Sequence, residues 1–157
     1  MILRNLNKKG FTLIEVVATV AIASLVMVAL VSFLSVVSKV FVASAIESEQ
    51  RLIASSAKAY LKNELTYVTE IAVNGDGSFS KLEFTGGRIY KNDVQVFDNE
   101  FYGNTSIYGQ VTGLGSVLTF TIRVENGGTN RTEDYVIKTL NKVDTAISTP
   151  VTTLYYK

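Results

Sequence analysis

The chain has 157 residues, 15 basic against 14 acidic, and neither cysteine nor histidine. That composition excludes disulfides, a Cys-His zinc site and any catalytic triad built on imidazole or thiolate. Arg4, Lys8 and Lys9 all fall in the first ten residues, so from Phe11 onward 12 basic residues stand against 14 acidic ones, a net −2 with no general attraction to nucleic acid or anionic lipid.

The first element read along the chain is apolar. Glu15 and Lys39 bracket 23 uncharged positions, mostly Val, Ala, Leu and Ile with scattered Ser and Thr. At about 1.5 Å of rise per residue, roughly 20 such residues cross a hydrocarbon core of about 30 Å, so the run is long enough to span a membrane. Its cationic flank, Arg4, Lys8 and Lys9, predicts an N terminus on the cytoplasmic side and the bulk of the chain outside.

Three readings of this terminus differ in what they make of Glu15. A cleaved secretory signal has two small-residue sites, Ala21-Ile22-Ala23 and Ala43-Ser44-Ala45. The first strands an apolar run on the mature protein, and the second needs an apolar region about twice the usual 7–15 residues. An uncleaved anchor accounts for span and orientation but leaves the carboxylate unexplained, at a cost of about 2.5–3.5 kcal/mol for a charge at the bilayer centre and less near the interface. Cleavage between Gly10 and Phe11 supplies a cation: the new α-amino group lies about 6 Å of helical rise from Glu15 and titrates near 7.7–8.0 in model peptides. An apolar helix carrying one acid and one terminal cation is built to associate with copies of itself.

The stretch Lys8-Lys9-Gly10-Phe11-Thr12-Leu13-Ile14-Glu15 resembles the class III signal of type IV pilins and of the pseudopilins of secretion and competence systems. The resemblance covers about 30 residues. It implies that a prepilin peptidase removes the leader after Gly10 and N-methylates Phe11, and that Glu15 neutralises a neighbour's amino terminus during assembly. It further implies a structural subunit and not an enzyme, with other pilin-like subunits and the membrane as partners, and a route from the cytoplasmic membrane to a surface pilus or pseudopilus. Positions 11–42 contain no Gly or Pro, and the chain has no Cys for a C-terminal disulfide, which fits a minor pilin or pseudopilin better than a Gram-negative major subunit.

Beyond Lys39 the helical pattern becomes amphipathic, with Val42, Ile46, Ile53, Ala57, Tyr60, Leu61, Leu65 and Val68 recurring at spacings near three, four and seven. No Gly or Pro falls between Phe11 and Thr69, so one helix of about 59 residues is the simplest reading, with two helices broken near Ser44 as the alternative. The expected organisation is a leader over 1–10, a membrane and fibre-core helix over 11–42, an amphipathic helix over 43–69, and an antiparallel sheet head over 70–157, an α+β fold of the pilin-like kind. Within the head, Lys81–Phe84, Arg88–Tyr90, Val94–Phe97, Val117–Glu125 and Tyr135–Leu140 read as strands, and the tail from Thr152 to Tyr156 as an edge strand or a packed segment.

Candidate chemistry in the head is sparse. Asn74, Asp76, Ser78 and Ser80 resemble the start of a calcium loop, but Thr85 stands where its twelfth-position acid belongs, so they read as a solvated turn. Gly109, Gly113 and Gly115 lack the rest of any nucleotide fingerprint and read as loop glycines between strands. Phe101, Tyr102 and Tyr108 offer either an adhesive surface or core packing. Arg123, Arg131, Lys138 and Lys142 offer a DNA contact or a solvated face, with Glu125, Glu133 and Asp134 among them. No cofactor or metal is expected.

Overall fold

The computed structural model describes residues 11–141 and 146–157; the leader with Gly10, and Lys142, lie outside the described residues. Helix α1 runs from Leu13 to Leu65, without the break considered near Ser44. Contacts divide the chain into a unit ending at Ser44 and a second unit, Ala45–Lys157.

In the second unit, α1 turns Gln50, Ile53, Ala54, Ala57, Leu61 and Leu65 inward, the apolar stripe expected from the sequence. The helix ends four residues before Thr69, where the carbonyls that follow Leu65 find tertiary donors. Leu140 N donates to Thr66 O at 2.7 Å, and Asn141 Nδ2 donates to Tyr67 O at 2.7 Å. Thr69 N then bonds to Lys157 O at 2.7 Å, which commits the chain to a strand.

Among the described residues nine strands and one short helix follow: β1 (Ile71–Ala72), β2 (Ser80–Thr85), β3 (Arg88–Lys91), β4 (Val94–Gln95), α2 (Asn99–Tyr102), β5 (Ser106–Leu114), β6 (Val117–Asn126), β7 (Thr129–Lys138), β8 (Ala146–Val151) and β9 (Thr153–Tyr156). They form two antiparallel sheets, β1-β9-β2-β3-β4 and β7-β6-β5-β8, where the sequence suggested one. The sheets meet where Ile107 N donates to Gly87 O at 3.0 Å and Phe84 N to Thr152 O at 2.9 Å.

Strand β6 shows the expected alternation, with Leu118, Phe120, Ile122 and Val124 buried against the core. Gly127 and Gly128, both at positive φ, form the two-residue turn into β7, a conformation that suits the twist of a hairpin and that side chains resist.

Several expectations are corrected. Gly109 and Gly113 are not loop residues but lie within β5, and Gly115 occupies the turn to β6. At Gly109 the ring of Phe84 lies where a side chain would be, with an added Cβ only 2.5 Å from its Cδ1. Gly109→Ala is therefore expected to destabilise the head by about 1–3 kcal/mol, measured by denaturant titration of the purified chain. The C-terminal strand β9 is not at an edge; it lies between β1 and β2. Pro150 sits in β8, at the edge of the other sheet, where its missing N–H is tolerated.

Glu64 ties α1 to β3 and β9, the strands on either side of β2 in the first sheet. One carboxylate oxygen accepts from Lys91 Nζ and from Tyr156 OH, each at 2.6 Å. Burial pushes this carboxyl up, but the two hydrogen bonds and the Lys91 charge outweigh it and hold it below the usual carboxylate range. Glu133 is likewise held low, chiefly by the hydrogen bond from Tyr135 and, against a burial penalty, by Arg131. Carboxyls whose folded pKa is depressed stabilise fully above their unfolded value of about 4.5 and lose that contribution as pH falls through the folded value. The thermal midpoint is thus expected to hold level from pH 7 to about 5 and to fall below about 4, with Glu64→Gln showing a shallower fall in melts at each pH.

Candidate assembly helix and processing site

The unit ending at Ser44 consists of the first part of α1, and its described residues from Phe11 to Val36 are all exposed. Leu25, Val28, Val31, Phe33 and Leu34 each show half or more of their surface. Apolar area of that extent has to be covered by lipid or by other chains. The helix is long and apolar enough to cross a membrane.

At its start, Thr12 and Glu15 form a reciprocal cap. Glu15 N donates to Thr12 O at 3.0 Å, and to Thr12 Oγ1 at 3.4 Å. The Glu15 carboxylate reaches back and accepts from Thr12 N and Thr12 Oγ1, both at 3.1 Å. This is the capping box of Ser or Thr followed three places later by Glu or Gln, and it places a negative charge at the positive end of the helix. The Thr-x-x-Glu spacing that signals such a box is present in Thr12-Leu13-Ile14-Glu15. Of the three residues expected to carry processing and assembly, Phe11 and Glu15 thus stand together at the helix start, while Gly10 lies outside the described residues.

The head presents no comparable constellation. Among the described residues no group of three or more Asp and Glu side chains converges as a metal site would require. Asp76 Oδ1 instead closes a turn by accepting from Ser78 N at 2.9 Å and Ser78 Oγ at 2.5 Å. Tyr102 is fully buried and donates to no ligand surface; its hydroxyl accepts from Ile89 N at 3.2 Å. Phe101 stacks on Phe97 with centroids 4.5 Å apart, in α2, whose N-terminal cap Asp98 accepts from Phe101 N at 2.7 Å. Tyr108 is partly exposed beneath the Arg123 guanidinium, 4.9 Å from its ring centre.

Of the four basic residues singled out near the last hairpin, three are described. Arg123 pairs with Glu125 at 3.2 Å, and Arg131 pairs with Glu133 and, at 3.7 Å, with Glu47. The register sets Arg123 opposite Thr132 and Arg131 opposite Val124, so the two guanidinium groups leave the sheet on opposite faces. Lys138 is exposed at the end of β7.

The architecture is α+β, one long N-terminal helix packed in its second part against antiparallel sheets, as in pilins. A family model, the prokaryotic N-terminal methylation motif, matches residues 5–31. No curated protein and no solved structure matches the chain. The motif supports a precursor of the prepilin type, processed at its N terminus by a prepilin peptidase and belonging to pilin assembly in general. With the exposed apolar helix it is consistent with a single-pass membrane anchor, and the matched motif is structural, not that of an enzyme family.

Proposed function

We propose that the chain is the precursor of a subunit of a type IV pilus or pseudopilus. The peptidase cuts after Gly10, Phe11 becomes the methylated N terminus, and the helix over 11–42 enters the fibre core. Residues 43–69 and 70–157 form the head, carried outside the cytoplasm, and the finished fibre serves DNA uptake, secretion or adhesion. The observation that carries this reading is the coincidence of the methylation motif at 5–31 with an uncovered apolar helix that opens on Phe11 and Glu15. Expression with and without a prepilin peptidase tests it: the chain should shorten by the ten-residue leader when the enzyme is present and keep its full length without it. An unchanged length in both cases removes the reading.

A second reading is favoured by one contact. Because the Glu15 carboxylate is satisfied by Thr12 at 3.1 Å, the chain accounts for this acid without a partner subunit, as an uncleaved single-pass anchor for an external binding domain would require. The two readings part on whether the unsubstituted chain enters the fibre fraction.

A further inference from the structure

Within the head, the two flanks of α1 carry opposite charge. Lys58 and Lys62, one turn apart, line a groove with Tyr135, Val136, Lys138 and Leu140, beside β7. Among the described residues strand β7 is an edge: β6 pairs with one side and no strand with the other. Lys58 sits 4.7 Å above the Tyr135 ring and within electrostatic reach of Glu133, and none of Lys58, Lys62 and Lys138 closes a direct ion pair among the described residues. Asp134, earlier on the same strand, is engaged by Thr121 at 2.7 Å.

Tyr60 and Glu64 stand two residues from Lys58 and Lys62 respectively, about 200° around the helix, and face the other way. There they meet Phe97, with rings 5.9 Å apart, and Lys91 at 2.6 Å. The segment from Asn92 to Glu100 on that flank holds Asp93, Asp98 and Glu100 and no basic residue. Asp93 is paired with Lys81 at 2.6 Å and Asp98 caps α2, while Glu100 has no partner among the described residues. Counting Lys81, Arg88 and Lys91 against Glu64, Glu83, Asp93, Asp98 and Glu100, the flank is net −2. Apolar surface matches as well: Val94 is 69% exposed on the acidic flank, against Val136 at 67% and Leu140 at 69% on the basic one.

Resting on the polymer reading above, we propose that these two flanks are a head-to-head interface between copies of this chain, the acidic β4–α2 segment of one copy seated on the basic groove beside β7 of the next. Opposite charge on opposite flanks makes the contact heterologous, the kind that can repeat from copy to copy along an open fibre. It covers the exposed edge of β7, which three lysines otherwise guard against indiscriminate pairing.

The absence of cysteine from the chain gives a clean test. The full-length chain carrying both Val94→Cys and Val136→Cys, assembled in cells with its peptidase and oxidised mildly, should give a ladder of dimers, trimers and higher species on non-reducing gels. Either substitution alone should give none. Adding Lys62→Glu and Lys138→Glu should cut the ladder by about tenfold or more through like-charge contact, and a further Glu100→Lys should restore part of it. Dimers from Val136→Cys alone would overturn the proposal in favour of a two-fold contact. Sedimenting fibres that give no ladder would overturn it and leave the polymer reading intact. Failure of the unsubstituted chain to sediment as fibre after its leader is cut would overturn both.

Discussion

Replacing Glu15 by Gln is expected to remove the chain from fibres almost as completely as Glu15→Ala does. The glutamine keeps the cap, since its carbonyl oxygen can accept from Thr12 N as the carboxylate now does at 3.1 Å. It loses the negative charge. If the only task of Glu15 were to start the helix, Gln would be silent and Ala would cost about 1 kcal/mol. If the task is to meet a neighbour's terminal ammonium, both leave that cation uncompensated at membrane-like depth, a penalty of about 2.5–3.5 kcal/mol or about a hundredfold in the assembled fraction. Fractionating sheared fibres from cell envelopes and quantifying the chain in each decides the matter. Equal fibre yield for Glu15→Gln and the unsubstituted chain would show that the charge is not needed for assembly, whereas absence of the unsubstituted chain from the fibre fraction would favour the anchored-domain reading.

Leu61→Ala is expected to destabilise the head by about 2–5 kcal/mol, a large part of the stability of a domain of this size. Leu61 is fully buried, in a core that also holds Phe120, Leu82, Ile89 and Leu154. The same deletion at Leu25, which is 72% exposed and lies in the unit ending at Ser44, should leave head unfolding within about 0.5 kcal/mol of the unsubstituted chain. Urea titrations of the full chain in detergent, followed by tyrosine fluorescence, would measure both. A Leu61→Ala midpoint indistinguishable from that of the unsubstituted chain would mean that α1 contributes nothing to the core.

What the sequence disclosed follows from which physical signals are local. A 23-residue uncharged run and an unbroken 3.6-residue period need no knowledge of the rest of the fold, and α1 appears where both place it. The turns at Gly86-Gly87 and Asn92-Asp93 were legible for the same reason, because positive φ at consecutive residues restricts composition. Strand β5 was not legible: its inward positions read Ile107, Gly109, Val111, and the glycine that breaks the alternation exists only to admit Phe84 from another strand. The first half of β7, Thr129 to Asp134, is polar throughout and is a strand because β6 pairs with it along ten positions. The short helix α2 and the true end of α1 depend equally on distant partners, the latter on Leu140 and Asn141. At the N terminus the sequence points to the pair Gly10 and Phe11 and the acid Glu15, and it also carries the Thr-x-x-Glu spacing of the cap whose hydrogen bonds join Thr12 and Glu15.

The intact mass of the chain recovered from native cell envelopes tests the proposed processing most directly. The account requires a species that begins at Phe11, lacks the ten leader residues and carries one methyl group on its terminal amine. A chain that still begins at Met1, or one that has lost the apolar stretch and begins at Ser24 or Ile46, would contradict it.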